Sequence, residues 1–382
     1  CGPKVFLYDK NKKNIGAEPI KETVIALKKG LIAAIKGIGG FHLAVDANNE
    51  EAVLRLRRLK NREKKPFAVM FSNLENVKLY AKLKDEKIIK NFVAPIILLE
   101  KNDKQLASSV APDTCYIGAM LPYTPLHHLI LKDNFPALVM TSGNISEEPV
   151  TSDNEEAFAR LSNIADLFLV HNREIYTRCD DSVQRPIGNK IVNIRRARGL
   201  TPGTIILKKE VPNVLGCGAE VKNTVCVTYK NKAIVSQHIG DMENIETFSF
   251  FEKTIDHLKK IWNLKIAALA YDLHPQYLAT QYALNQKDVA IIGVQHHFAH
   301  AVSCMAENSI DGDVLAISMD GIGYGLDGNI WGGEILQVSL SEENTGFKRL
   351  AHLEYVPMPG GDKATHFPWR MEIGRASCRE RV

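Results

Sequence analysis

His296-His297-Phe298-Ala299-His300, followed twenty residues on by Asp320-Gly321-Ile322-Gly323-Tyr324-Gly325-Leu326-Asp327-Gly328, is the stretch from which both architecture and chemistry are read. Residues four apart share a helix face, so His296 and His300 can aim both imidazoles at one ion. The intervening run Val314-Leu315-Ala316-Ile317-Ser318-Met319 reads as a buried strand that places Asp320 at its end. Gly321, Gly323 and Gly325 then form a turn where backbone amides can approach phosphate closely. Taken singly, the histidines also fit a partly buried helix and the glycines a plain tight turn. Their proximity favours one cleft with a metal beside a phosphate loop.

Outward from this stretch, helical and strand-like patterns alternate. Between about Lys21 and Ile206 come a helix from Glu22 to Lys29, an apolar run from Gly30 to Ile38 and a helix from Glu50 to Lys60, which predicts an α/β domain. Pro and Gly punctuate Gly199-Leu200-Thr201-Pro202-Gly203, and a boundary is expected near residue 208. Beyond it, hairpins around Val214 to Tyr229, with a turn at Lys230-Asn231-Lys232, give way to helices and strands. These are a helix from Phe248 to Trp262, a strand from Ile266 to Tyr271, a helix from Tyr277 to Asn285 and a strand from Val289 to Val294.

Of 382 residues, 45% are apolar and 24% charged, the composition of a soluble globular chain of two or three domains. Apolar runs are too short to span a membrane and the N-terminus has no targeting layout, so the chain reads as cytoplasmic. Seven cysteines without framework spacing argue for reduced thiols. Net charge is only +4, but Arg55 to Lys65 gathers seven basic groups against one acid. That density suits phosphate or a solvated helix face. Nucleic acid is disfavoured because no aromatics interleave and no binding motif is present.

Up to about Arg370 the chain resembles the central part of the HypF family, the carbamoyltransferases of nickel-iron hydrogenase maturation. Lys36-Gly37-Ile38-Gly39-Gly40-Phe41-His42-Leu43, Lys65-Pro66-Phe67, Met120-Leu121-Pro122-Tyr123-Thr124-Pro125-Leu126-His127 and Thr141-Ser142-Gly143-Asn144 are similar to the YrdC-like domain. Gly240-Asp241, Asp272-Leu273-His274-Pro275, the histidine and glycine segments above, and Trp331-Gly332-Gly333-Glu334 are similar to the TsaD-like domain. The resemblance implies a YrdC-like α/β domain over 1–207, then the first lobe of an actin-like ATPase fold over 208–371. It also implies a zinc-finger remnant at Cys1-Gly2-Pro3, and missing family segments at both ends. Residues 372–382 have no apolar period and are expected to be non-native. A TsaD-like domain reduced to one lobe is expected to expose apolar surface and to transfer poorly.

The resemblance further implies ATP-dependent activation of carbamate, derived from carbamoyl phosphate, to carbamoyl-adenylate with Mg2+. The carbamoyl group then passes to the C-terminal cysteine of HypE, toward cyanide ligand synthesis. Lys60 and Arg62 match the Lys-x-Arg motif, and Ser142 and Asn144 the Ser-x-Asn motif, of YrdC proteins. Without that match Ser142-Gly143-Asn144 reads equally as a turn. Lys36, His42, Lys65, Arg173 and Arg178 are further candidates for nucleotide or substrate, while Asp180 and Asp181 either bind substrate or pair with the arginines. Lys222 is expected on a phosphate hairpin of the second domain. His296, His300 and Asp320 are expected to hold iron or zinc, with His297 turned away, Asp272 capping, and Cys217 packing. The rival readings are threonylcarbamoylation of tRNA, which uses related adenylates, and an RNA-binding module working through the basic stretch.

Overall fold

A computed structural model describes residues 2–145, 148–341, 345–361, 363–367 and 369–373. Cys1 and most of the tail, from 374 on, lie outside the described residues. The chain packs as two compact units interleaved in sequence. One holds the described residues up to Thr204 together with Glu220–Val225 and Ile234–Asn263. The other holds Ile205–Ala219, Cys226–Ala233 and the described residues from Leu264 on. A break thus falls beside the expected boundary near 208, but two later segments return to the first unit.

The first unit is built on ten strands: β1 (Val5–Asp9), β2 (Ala33–Lys36), β3 (Phe41–Asp46), β4 (Ala68–Phe71), β5 (Ile96–Glu100), β6 (Tyr116–Met120), β7 (Ala137–Ser142), β8 (Leu167–His171), β9 (Val183–Ile187) and β10 (Lys190–Arg195). They form one mixed sheet in the order β1-β8-β2-β3-β7-β4-β6-β5-β9-β10. Its helices are α1 (Pro19–Lys28), α2 (Glu50–Leu59), α3 (Leu74–Tyr80), α4 (Pro125–Leu131), α5 (Asn154–Leu161) and α6 (Ile245–Ile261). Strand side chains alternate between two cores, one on each face. Phe41, Leu43 and Val45 of β3 join Val53 and Leu56 of α2. Ala44 of β3 joins Val24 and Leu27 of α1 on the other side.

Helix α2 shows how sequence sets the site. The Asn49 side chain accepts from Ala52 N–H, Glu50 and Glu51 occupy the first turn, and Arg57 and Arg58 the last, each favourable to the helix dipole. Asn61 then takes φ +49, with Asn61 N–H donating to Arg58 O and Arg62 N–H to Arg57 O. This double closure ends the helix and fixes where Lys60 and Arg62 project.

The second unit carries β11 (Thr204–Val211), β12 (Val214–Gly216), β13 (Cys226–Val235), β14 (Ala268–Asp272) and β15 (Ala290–Val294) in the order β11-β13-β12-β14-β15. A separate antiparallel sheet comprises β16 (Gly312–Tyr324), β17 (Ile330–Leu340) and β18 (Thr345–His352). Helices α7 (Leu278–Leu284), α8 (His296–Glu307) and α9 (Lys363–His366) complete it. Both units are α/β, as the alternation predicts. The turn expected at 230–232 lies inside β13, where Lys230 has φ +52.

The reading of Val314 to Met319 as a buried strand needs correction. Leu315, Ile317 and Met319 are 65, 65 and 70% exposed, because only one face of the antiparallel sheet packs on Ala301 and Met305 of α8. Nor does the strand end at Asp320: β16 continues to Tyr324 through a register shift between Met319 and Gly323. No helix of the described residues is long and apolar enough to cross a membrane.

Candidate functional site

In the first unit the end of α2 meets the end of β7. Lys60, only 5% exposed, donates from Nζ to Ser142 O at 2.6 Å, Asn144 O at 2.9 Å and Asn144 Oδ1 at 3.1 Å. Ser142 Oγ donates to Asn144 Oδ1 at 2.7 Å, so Ser142 and Asn144 form a closed loop above the ammonium. Burial, then the charges of Arg62 and Lys65, brings the Lys60 pKa down to about 7. Burial and the neighbouring Arg57 bring Arg62 to about 10.

Lys60, Arg62, Lys65, Ser142 and Asn144 line one cleft of about 440 Å3. Arg195, Lys222, His238 and Asp241 line it as well, giving an excess of basic groups around a concave space suited to polyphosphate. Lys222, expected on a phosphate hairpin of the second domain, thus lines this cleft in the first unit; its N–H donates to Asp241 Oδ1 at 2.6 Å. The rest of the basic stretch is partly structural. Arg57 is 6% exposed and donates to the carbonyls of Ser109, Arg62, Glu63, Lys65 and Val110, while Arg55 pairs with Asp166 at 2.6 Å.

Lys36 and His42 flank the Gly37-Ile38-Gly39-Gly40 turn between β2 and β3. Both are buried, and burial lowers the Lys36 pKa, with Asp153 and Glu174 opposing. Arg178 is not a free cation: it binds Glu156 at 2.9 Å and Ser152 Oγ at 3.2 Å, lining a different cavity of about 690 Å3. Arg173 is exposed and outside the lining of the Lys60 cleft. Asp180 pairs with His238, and Asp181 with His42 and Arg198. The expected pairing with Arg173 or Arg178 is thus replaced by partners that sequence reasoning missed.

In the second unit α8 begins at His296, with Gln295 accepting from Phe298 N–H as its cap. His296 Nε2 lies 2.8 Å from Asp320 Oδ2 and 3.2 Å from His300 Nε2, and His300 Nε2 lies 3.7 Å from Asp320 Oδ2. Asp272 Oδ2 lies 2.6 Å from His296 Nδ1, which makes that nitrogen the donor and turns Nε2 toward Asp320 and His300. Asp272 also accepts from His274 N–H, so the expected cap exists alongside an orienting role that sequence did not show.

This donor set fits a divalent cation. The three ligand atoms lie within 4.8 Å of one another, and Asp320 Oδ2 is buried beside His296 without hydrogen-bond alignment. Burial alone would lower the His296 pKa, but Asp272 and Asp320 outweigh it and raise it to about 9, so the site favours positive charge. His297 stands apart, fully buried, with Nδ1 3.3 Å from Gln295 Nε2.

The glycines are not a simple turn. A Cβ on Gly323 would lie 2.3 Å from His297 Cε1, and one on Gly325 2.2 Å from Trp331 Nε1. On Gly321 it would meet nothing within 4 Å. Gly323 and Gly325 thus permit close packing behind the histidines, and Gly321 borders open space. Cys217 is buried and its thiol is pushed up to about 12 by burial, in keeping with packing.

Known proteins match along the chain. A family described as telomere recombination (Sua5/YciO/YrdC) matches residues 25–197, the HypF Kae1-like domain residues 209–307, and the second subdomain of the carbamoyltransferase Kae1-like domain residues 316–379. Carbamoyltransferase HypF2 of Cupriavidus necator is 43% identical over 379 residues, covering 93% of this chain and 46% of that protein. The probable carbamoyltransferase HypF of Methanocaldococcus jannaschii is 43% identical over 381 residues, covering 96% and 49%. A crystal structure of full-length HypF in the phosphate- and nucleotide-bound form superposes with TM-score 0.93 at 45% identity, covering 98% and 49%. The chain spans about half the length of the curated relatives it matches.

Proposed function

Because the chain belongs to the HypF family of carbamoyltransferases, we propose that it activates carbamate as carbamoyl-adenylate and passes the carbamoyl group to the C-terminal cysteine of HypE. The observation that carries this reading is the Lys60 cleft, where Lys-x-Arg and Ser-x-Asn groups converge with Lys65, Arg195 and Lys222 on one concave surface.

In the first step a carbamate oxygen attacks the α-phosphorus of ATP, the bond to the β-phosphate oxygen breaks, and pyrophosphate leaves with Mg2+. Negative charge grows on the non-bridging and leaving oxygens. Arg62 and Lys65 are placed to receive it, and Lys60 supplies charge beneath the Ser142–Asn144 loop while holding that loop in shape. Fixing both reactants in one cleft removes much of the entropic barrier.

In the second step the partner's thiolate attacks the carbamoyl carbon and AMP leaves. His296, His300 and Asp320 would hold iron or zinc, which when bound supplies Lewis-acid polarisation of phosphate or carbonyl oxygen. Asp272 fixes the His296 ring by accepting its Nδ1–H. Gly321 leaves open space beside Asp320 for the adenylate.

The reading is tested with 14C-carbamate, ATP and purified HypE. Label on the terminal cysteine, abolished by His296→Ala, is expected; label confined to a small molecule would remove transfer from this chain.

A further inference from the structure

On the carbamate-activating reading, on which the following role rests, Asp181 has no task in the Lys60 cleft. Asp180 and Asp181 are adjacent but serve different neighbours. Asp180 lines the Lys60 cleft and bonds His238 Nδ1 at 3.0 Å. Asp181 faces His42: its Oδ2 lies 3.0 Å from His42 Nε2, and both side chains are 10% exposed. Its Oδ1 accepts from Arg198 Nε at 2.9 Å. Arg198 is itself fixed, donating to Val93 O at 2.7 Å and Ala94 O at 2.9 Å, with its guanidinium 3.4 Å from the centre of the Tyr123 ring.

An ionised carboxylate can only accept, so His42 Nε2 carries a hydrogen toward Asp181, and in the neutral ring Nδ1 then carries the lone pair. Among the described residues, His42 Nδ1 is buried and has no hydrogen-bond partner. A buried polar atom in that state calls for a ligand or water. On that side residue 37 is glycine, and the ring lies close against its backbone: a Cβ there would sit 3.3 Å from Nδ1. His42 also stands opposite Ser142 in the β3–β7 register, so the two side chains leave one face of the sheet. Among the described residues, the other charged or titratable groups against the ring are Arg198, Tyr123, whose hydroxyl lies 3.4 Å from Nε2, and His127, 6.0 Å away between ring centres. Burial is the chief cause that holds His127 neutral, with a pKa of about 3.

We propose that Asp181, anchored by Arg198, is a positioning residue that fixes His42 with Nε2–H, so that Nδ1 accepts an N–H of carbamate and selects it over carboxylates without N–H. Nucleotide contacts at Lys60 and Ser142 are separate from this choice.

The test uses the 382-residue chain with ATP–pyrophosphate exchange driven by carbamate or by acetate. Asp181→Asn lets the new amide donate to Nε2 and reverse the ring's hydrogen, as in the Ser-His-Asp triad. Its KM for carbamate should rise about tenfold or more while KM for ATP stays within about twofold, and preference for carbamate over acetate should fall. His42→Phe should show the same split. Equal changes in both KM values would mark a structural role only and overturn the proposal. Should Asp181→Asn fail to fold, 15N-histidine NMR of the wild-type chain decides, with the His42 signals assigned by their loss in His42→Phe. Hydrogen on Nε2 is expected, and hydrogen on Nδ1 alone refutes the positioning. Absence of carbamate-dependent exchange in the wild type would instead refute the functional reading, and the NMR result would still stand on its own.

Discussion

Lys60 is a buried ammonium that donates, among the described residues, to Ser142 O, Asn144 O and Asn144 Oδ1, beside the charges of Arg62 and Lys65. Its folded pKa of about 7 lies below its ordinary value, so the unliganded protein is only partly protonated there above neutrality. Phosphate entering the cleft restores the charge. Nucleotide binding at pH 8 should therefore take up close to one proton, falling toward zero at pH 6, as calorimetry in buffers of differing ionisation enthalpy would report. Lys60→Ala should abolish the uptake. By the same sign, Lys60 makes folding less favourable below pH 7, and stability should rise as pH increases from 7 toward the unfolded lysine value. Arg57 is a contrast in the same run: Arg57→Ala should cost roughly 2–4 kcal/mol in denaturant unfolding, because it leaves several buried carbonyls unpaired. Sequence showed Lys60 and Arg62 through a motif, but basic residues at one-residue spacing look alike before folding separates a buried Arg57 from an exposed Lys64. Asp272 was visible as a cap and hidden as an orienter, since nothing local reveals a partner 24 positions away. Asp272→Asn should weaken metal binding by about 10–100-fold, measured by competition with a chelating dye.

At the level of elements, helices were legible to within a few residues because caps and apolar spacing agree, as in α2 and α6. Strand β16 was less so. A run of apolar residues signals burial on two faces or a one-faced strand equally, and only the neighbouring sheet decides. The same strand separates its glycines by function. Gly323→Ala must push His297 and His296 aside and should lower metal affinity at least about tenfold. Gly321→Ala meets open space and should leave metal affinity within about twofold. Equal losses in both variants would show that the glycines serve backbone freedom and not packing.

For the molecule as a whole, chain order proved an incomplete guide to packing. Glu220–Val225 and Ile234–Asn263 follow the linker yet join the first unit, carrying Lys222, His238 and Asp241 to the Lys60 cleft. Hydrophobic periodicity reports which face of an element is buried, not which unit buries it, so Lys222 could be flagged from sequence but not placed. A bound metal should stabilise the second unit by mass action. Chelation should lower the temperature of its unfolding transition, with His300→Ala insensitive to chelator.

The central claim, that the first unit joins carbamate to AMP, is tested most directly by exchange of labelled pyrophosphate into ATP with carbamate supplied directly. Carbamate-dependent exchange that Lys60→Ala abolishes is the predicted result. Exchange driven by threonine with bicarbonate, or none in a folded chain, would contradict it.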